Sequence, residues 1–252
     1  MKQMFALLKR EILEHRTIWF IPLILVGIAV LVKLAMSFGS LSIDLSVPSQ
    51  LQLDSKIDSV VSGVMERVLN GVNYNIARVI MIVSCFYALS CLYSERQDES
   101  VLFWRSLPIS DTLTVASKLI IALLVAPIMA LLCQIVVTFV FLDIDAFGYL
   151  PVFFDLSVIA LVKMTLWTLI PTASWCLFCS QFADKNPFVL AFFAPVILWI
   201  VDSLFLDGFF NSIIMVNRWI SFDEYYTMPL VSGLLMSVVF IVLAVIKRSQ
   251  RI

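Results

Sequence analysis

The stretch Leu119–Leu142 places the strongest constraint on how this chain can fold. It contains no charged residue, and as a helix rising 1.5 Å per residue it would cross the roughly 30 Å hydrocarbon core of a bilayer. Inside a bilayer, backbone groups must be hydrogen-bonded within a helix or a closed barrel. Barrel strands run for about 10 residues and alternate in polarity, which this stretch does not do. We therefore predict a membrane-spanning α-helix.

Five further apolar stretches of similar length occur along the chain. Hydrophobic residues make up 62% of the 252 residues and charged residues 14%, against about 45–50% and about 25% in soluble domains. The sequence predicts an all-α membrane protein, with residues 1–252 forming a single transmembrane domain. The six predicted spans lie at about 17–37, 77–93, 119–142, 156–179, 187–206 and 228–246.

The distribution of Lys and Arg predicts the orientation in the membrane. If the N-terminus is inside, the inner segments hold eleven of these cations, and the outer loops hold only Lys56, Arg67 and Arg218. Cytoplasmic loops carry the excess of positive residues in membrane proteins. We expect both termini to be cytoplasmic.

The N-terminal segment before the first span has an amphipathic helical pattern. Met4, Phe5, Leu8 and Ile12 share one helical face, opposite a polar face that includes Glu11. Such a helix can lie in the headgroup plane, and we predict an elbow helix leading into the first span. The alternative is an ordinary cytoplasmic extension of that span.

Two outer segments are also predicted, one after the first span and one after the fifth. Residues 38–72 form a long loop whose second half spaces its apolar residues at near-helical intervals. Residues 207–227 are too polar to span but rich in aromatic residues, as segments at the membrane interface are.

The inner loop SERQDESVLFWRSLPISDTLTVASK, residues 94–118, combines charged and aromatic residues. Pro108 would end a short amphipathic helix in this loop, and Ser110 or Asp111 would cap the helix that becomes the third span. Mixed aromatic and Arg surfaces are favoured at protein interfaces. The loop therefore either docks a cytoplasmic partner or rests on the inner leaflet.

The same loop resembles the inner loop of type-2 ABC exporter permeases. In this family an acidic residue precedes a hydrophobic stretch, a Leu-Pro-hydrophobic-Ser element and a Lys, as in E-R-Q-D-E-S-V-L-F-W-R-S-L-P-I-S-D followed by Lys118. The run CSQFADKNPFVLAFFAPVIL, residues 179–198, is similar to the family's inner turn between the fourth and fifth spans. The resemblance in motif covers about 45 residues, and the resemblance in architecture covers the whole chain.

The resemblance implies a permease subunit of the bacterial inner membrane, which pairs with a second permease and with two cytoplasmic ABC ATPase subunits. ATP and Mg²⁺ would bind to the ATPase, since this chain lacks the phosphate-binding pattern G-x-x-x-x-G-K-[ST]. The loop would be a coupling helix between the second and third spans. Its implied ATPase-coupling residues are Glu95, Asp98, Glu99, Phe103, Trp104 and Arg105.

Enzymatic chemistry has little support in the sequence. His15 is the only histidine, which rules out a two-histidine zinc site, and we predict no catalytic, cofactor-binding or metal site. Cys176 and Cys179, one helical turn apart, could bind a soft metal only with further ligands, and cysteine is also a common buried apolar residue. The net charge of −1 gives no basic field for nucleic acid.

Four charged residues within or at the edges of spans are candidates for a substrate pathway. Such residues are costly in lipid unless they are paired or hydrated. Arg78, Asp155, Lys163 and Asp202 would all lie in the outer half of the membrane. They could contact substrate, or Lys163 could pair with an aspartate and only join spans.

The functional alternatives are an ion-gradient-driven secondary transporter or channel, and a non-transporting membrane assembly factor. A secondary transporter would be expected to show repeated halves, which the sequence does not visibly contain. An ABC importer would carry an E-A-A element with a Gly in the inner loop, and only the Leu-Pro part is present. Membrane lipids are expected neighbours in every case.

Overall fold

A computed structural model describes residues 2–15, 17–38, 54–97, 110–142, 151, 153–183, 185–205 and 227–250. Within these ranges the chain is helical, without strands. Six helical stretches there are long and apolar enough to cross a membrane, so this is a multi-pass membrane protein. The predicted fold class is confirmed at this level.

The described helices follow one another along the chain with three π-helical segments among them. The π-helical segments are Ile121–Val125, Phe154–Val158 and Thr165–Leu169. The α-helices are α1 (Lys2–Glu14), α2 (Thr17–Ser37), α3 (Asp54–Gln97), α4 (Asp111–Ile120), α5 (Ala126–Leu142), α6 (Ile159–Met164), α7 (Ile170–Phe182), α8 (Pro187–Phe205) and α9 (Thr227–Gln250).

The six candidate spans agree with the predicted positions but extend further at several ends. They are Phe20–Ser37, Arg67–Gln97, Asp111–Leu142, Ile159–Phe182, Pro187–Phe205 and Leu230–Gln250. The near-helical spacing in the second half of the first outer segment belongs to α3, which begins at Asp54 and continues into the second span.

The third span begins with the predicted cap. The Ser110 side chain accepts a hydrogen bond from the backbone N–H of Leu113 at 3.3 Å. This bond satisfies one of the amide groups that a helix N-terminus leaves without a partner.

Prolines account for two of the π-helical segments. Pro127 and Pro171 are each the second residue after a π-helical segment, Ile121–Val125 and Thr165–Leu169 respectively. A proline ring clashes with the carbonyl four residues earlier and supplies no N–H, which widens the preceding turn. Neighbouring hydroxyls bind the carbonyls in these turns: Ser84 donates to the Ala122 carbonyl at 2.8 Å, and Thr172 donates to the Thr168 carbonyl at 2.6 Å. Such compensation is what permits prolines in membrane helices.

The chain forms two compact units, each built from separated stretches of sequence. Unit 1 contains residues 1–18, 81–127 and 162–252, and unit 2 contains residues 19–80 and 128–161. Because the stretches interleave, neither unit is a contiguous sequence domain.

Unit 2 contains a small network of neutral polar side chains between α3 and α5. The Gln134 amide donates to the Asn73 carbonyl at 2.7 Å, and the Asn73 amide donates to the Thr138 hydroxyl at 3.4 Å. All three side chains are buried. Helices in membranes are commonly joined by such hydrogen bonds.

Candidate functional site: a buried ionic cluster

Charged side chains from four helices of unit 1 meet at one end of that unit. They are Glu11 of α1, Glu95 near the end of α3, Asp111 and Lys118 of α4, and Arg248 near the end of α9. We call these five residues the ionic cluster. Glu95 and Asp111 lie in sequence on either side of the inner loop 98–109, so the cluster holds both helices that flank this loop.

Lys118 lies at the centre of the ionic cluster. Its Nζ lies 2.7 Å from Glu11 Oε1 and 3.0 Å from Glu95 Oε1, and it also donates to the Cys91 carbonyl at 3.4 Å. The contacts with Glu11 and Cys91 are hydrogen bonds, and the contact with Glu95 Oε1 is an ion pair. Lys118 is only 1% exposed, so its charge is compensated inside the protein.

Arg248 joins the two helices that flank the inner loop. Its Nη1 donates to Glu95 Oε2 and its Nε donates to Asp111 Oδ1, both at 3.0 Å. The planar guanidinium can hold two carboxylates at once, which an ammonium on a flexible stem does less well. One side chain of α9 therefore fixes the last turn of α3 against the first turn of α4.

Glu11 ties the N-terminal helix to the same cluster. Besides Lys118, it accepts a hydrogen bond from the Tyr87 hydroxyl at 2.9 Å. Glu11 was predicted on the polar face of α1, and this was wrong: Glu11 is 1% exposed, whereas Phe5 is 72% exposed. Glu11 lies one helical turn after the buried Leu7 and shares its face, and the buried ammonium of Lys118 compensates its charge there.

His15 lies beside Glu11 but does not form a strong ion pair with it. Its Nε2 is 3.7 Å from Glu11 Oε2, beyond hydrogen-bond distance, and its ring meets the Tyr87 ring edge to face at 4.9 Å. Burial lowers the pKa of His15 below its usual value, and the positive charge of Lys118 acts in the same direction against the opposing effect of Glu11. The imidazole is therefore neutral at neutral pH.

Arg10 adds a third cation beside the ionic cluster, whose five residues carry three carboxylates and two cations. Its Nη1 lies 3.6 Å from Glu95 Oε1, while its Nε pairs with Glu14 at 3.1 Å. Transferring such groups out of water costs several kcal/mol per ion, and their attraction only roughly repays that cost. The arrangement therefore contributes more to the register of four helices than to net stability.

A second contact joins the end of α3 to the turn between α7 and α8. Arg96 Nη2 donates to the carbonyls of Ser180 and Ala183, each at 2.6 Å, and the Tyr93 hydroxyl donates to the Lys185 carbonyl. The last turn of α3 thus lies against the C-terminal end of α7 and the turn that follows it.

The structure describes one of the six predicted coupling residues. Glu95 is 2% exposed, so it acts inside the protein, in the ionic cluster, and is not itself part of an exposed docking surface. The remaining five, Asp98, Glu99, Phe103, Trp104 and Arg105, lie outside the described residues, as do residues 39–53 of the first outer segment and all of the second except residue 227.

The four predicted intramembrane charges are divided between the two units. In unit 2, Arg78 donates to the Tyr74 hydroxyl at 3.3 Å and lies 4.7 Å from the centre of that ring; the Asp155 side chain lies outside the described residues. In unit 1, Lys163 is half-buried and Asp202 is buried. A pairing of Lys163 with Asp202 stays a prediction.

The five cysteines are all buried and none forms a disulfide. Among the described residues, no three His, Cys, Asp or Glu side chains are arranged to hold a metal ion.

No protein-family model, curated protein or solved structure matches this chain.

Four participants in the site were not predicted from the sequence: Glu11, Tyr87, Lys118 and Arg248. Lys118 offered one usable signal, because it follows the Ser110 cap by two helical turns and is therefore too deep in the helix to be an ordinary end charge.

Proposed function

We propose that this chain is the permease subunit of an ATP-driven exporter of the type-2 ABC class, which acts as a dimer with a pair of cytoplasmic ATPases. The observation that carries the proposal is the ionic cluster, which joins both flanks of the inner loop 98–109 to two further helices. A loop that receives movement from a motor subunit requires such rigid attachment.

The attachment suggests a route by which movement would spread. A displacement of the loop acts on Glu95 and Asp111, which share Arg248 of α9. Lys118 then connects Glu95 to Glu11 of α1. Because each ion is buried and would be costly to leave without its partner, the four helices move together at this end. ATP-driven closure of the ATPase dimer would in this way reach the second, third and sixth spans and the N-terminal helix.

The orientation and setting follow from the same proposal. The end of unit 1 that contains the ionic cluster faces the cytoplasm, in agreement with the excess of Lys and Arg on that side. Both termini are then cytoplasmic, and the membrane is the bacterial inner membrane. The contact between the end of α3, which leads into the inner loop, and the end of α7 supports the proposal, since both resembling segments would then begin on the side that faces the ATPase.

The test is purification of the tagged full-length chain from its native membrane, with the co-purifying proteins identified by mass spectrometry. We expect an ATPase with a G-x-x-x-x-G-K-[ST] motif in near-equal amount. The double variant Phe103→Ala/Trp104→Ala should lose that ATPase. A matched control removes an aromatic pair from the lipid-exposed surface of α8, Phe193→Ala/Trp199→Ala, and should retain it.

The outcomes separate this proposal from its rivals. A secondary transporter, channel or assembly factor would purify without such an ATPase. Equal retention of the ATPase by the two double variants would overturn the coupling role of the loop.

A further inference from the structure

Unit 1 also contains an apolar cavity of about 510 Å³ between α3, α7 and α8. This volume lies within the range of small-molecule binding sites. Eleven residues line it: Ile82, Cys85, Phe86, Leu89, Thr172, Trp175, Cys176, Ala191, Phe192, Pro195 and Val196. It is separate from the ionic cluster and plays no part in the coupling proposed above.

The polar groups of the lining are already hydrogen-bonded within the protein. The Trp175 indole N–H donates to the Ala191 carbonyl at 3.2 Å, and the Thr172 hydroxyl donates to the Thr168 carbonyl. The Cys85 and Cys176 thiols are only weak donors and acceptors. A polar ligand would find few donors or acceptors here, so the cavity is suited to hydrocarbon.

The cavity opens on the side of unit 1 that faces lipid. Phe86, Phe192 and Val196 combine a place in its lining with substantial exposure, and most of α8 is exposed along its length. Hydrocarbon chains of the bilayer therefore reach the opening directly. A void beside them would forfeit dispersion contacts, which a chain entering the cavity would restore.

Two lysines lie at the cluster end of unit 1, beyond the cavity. At 1.5 Å per residue, the cavity residues Leu89 of α3 and Trp175 of α7 lie about 10 Å from the ends of their helices. Lys185 follows the end of α7, where its carbonyl accepts a hydrogen bond from the Tyr93 hydroxyl of α3, and Lys247 lies 5.5 Å from the ring of Phe182 at the end of α7.

This vertical arrangement matches a phospholipid, whose charged headgroup is followed by a hydrocarbon chain. We propose that the cavity binds one acyl chain of an anionic phospholipid from the surrounding leaflet, with the phosphate placed near Lys185 and Lys247. Basic pockets at the membrane surface bind anionic headgroups, and the uncharged lining of the cavity would contact the acyl chain.

Native mass spectrometry of the purified full chain tests the proposal, with dioleoyl phosphatidylglycerol and dioleoyl phosphatidylcholine added after delipidation. We expect one tightly retained phosphatidylglycerol. Val196→Trp, at the exposed edge of the cavity, should lower its affinity; Val201→Trp, at an exposed site of the same helix outside the cavity, should not. A second pair tests the interior of the cavity. Ala191→Leu fills it and should lower the lipid affinity, whereas Ala194→Leu lies outside the lining and should not.

The headgroup is tested by Lys185→Gln, which should weaken phosphatidylglycerol binding about fivefold, the effect of about 1 kcal/mol per cation near a membrane surface. Lys9→Gln on the exposed face of α1 is the control and should leave binding unchanged. If the two variants of each cavity pair retain phosphatidylglycerol equally, the lipid does not bind in the cavity. Equal affinity for the two lipids, or equal effects of the two lysine variants, would overturn the anionic headgroup.

Discussion

The two units bury polar side chains in different ways. Unit 1 assembles full charges in the ionic cluster, where Lys118 and Arg248 each contact two carboxylates. Unit 2 uses neutral amides and a hydroxyl, the Asn73, Gln134 and Thr138 network. A buried charge is costly to leave without its partner, about 3–5 kcal/mol, whereas a hydrogen bond between membrane helices contributes about 0.6 kcal/mol on average.

This difference indicates what each region can tolerate. The ionic cluster allows few alternative arrangements, because each displaced ion would remain buried without compensation. The neutral network can exchange partners at little cost. The rigid region is the one beside the inner loop, as a coupling element requires.

The largest expected effect is that of Lys118→Met, which leaves Glu11 and Glu95 buried without their shared cation. We expect a loss of about 3–5 kcal/mol in unfolding free energy, seen as a large fall in the melting temperature of the purified protein in detergent. Adding Glu11→Gln restores the charge balance, so the double variant should be more stable than Lys118→Met alone. Lys9→Met, at an exposed site, is the control, and an equally mild effect of Lys118→Met would show that the cluster is not the rigid region.

Arg248→Lys is expected to have an intermediate effect. The positive charge remains, but the ammonium replaces a planar group that bonds Glu95 and Asp111 together. Loss of one charged hydrogen bond costs about 1.5–3 kcal/mol, measured by the same thermal unfolding. Arg67→Lys, at an exposed position, should have almost no effect. If Arg248→Lys and Arg67→Lys unfold at the same temperature, the contact of Arg248 with two carboxylates does not stabilise the protein.

Gln134→Leu in unit 2 is expected to have a small effect. It removes the donor to the Asn73 carbonyl, and we expect a loss of about 0.6 kcal/mol and no more than about 1.7 kcal/mol. Ile135→Leu, on the adjacent residue, controls for altered packing. A loss as large as that of Lys118→Met would remove the distinction between the two regions.

The smallest expected effect is a pH dependence confined to unit 1. Because burial lowers the pKa of His15, the folded protein binds fewer protons than the unfolded chain between the two pKa values, and stability rises with pH across that window. Stability should accordingly fall as the pH drops below about 6.5, until folded His15 is protonated as well. His15→Gln should reduce this part of the melting-temperature change. An unchanged pH profile in that variant would assign the dependence to other groups.

The helical content and the positions of the spans were predictable, because the requirement for internal hydrogen bonds in lipid leaves few alternatives to a long apolar helix. The cap at Ser110 was predictable for a similarly local reason. The partners of Lys118 were not, since Glu11 and Glu95 lie far from it in sequence and on different helices. The amphipathic pattern of α1 even placed Glu11 on the wrong face.

The sequence by itself thus determined that the chain crosses a membrane and where it does so, because hydropathy and length act within each segment. Only the tertiary structure decided which charges meet, because that depends on how the helices pack. Lys118 shows the distinction: its sequence position marks the entrance to a span, and packing makes it the centre of a cluster that joins α1, α3 and α4, with Arg248 of α9 beside it.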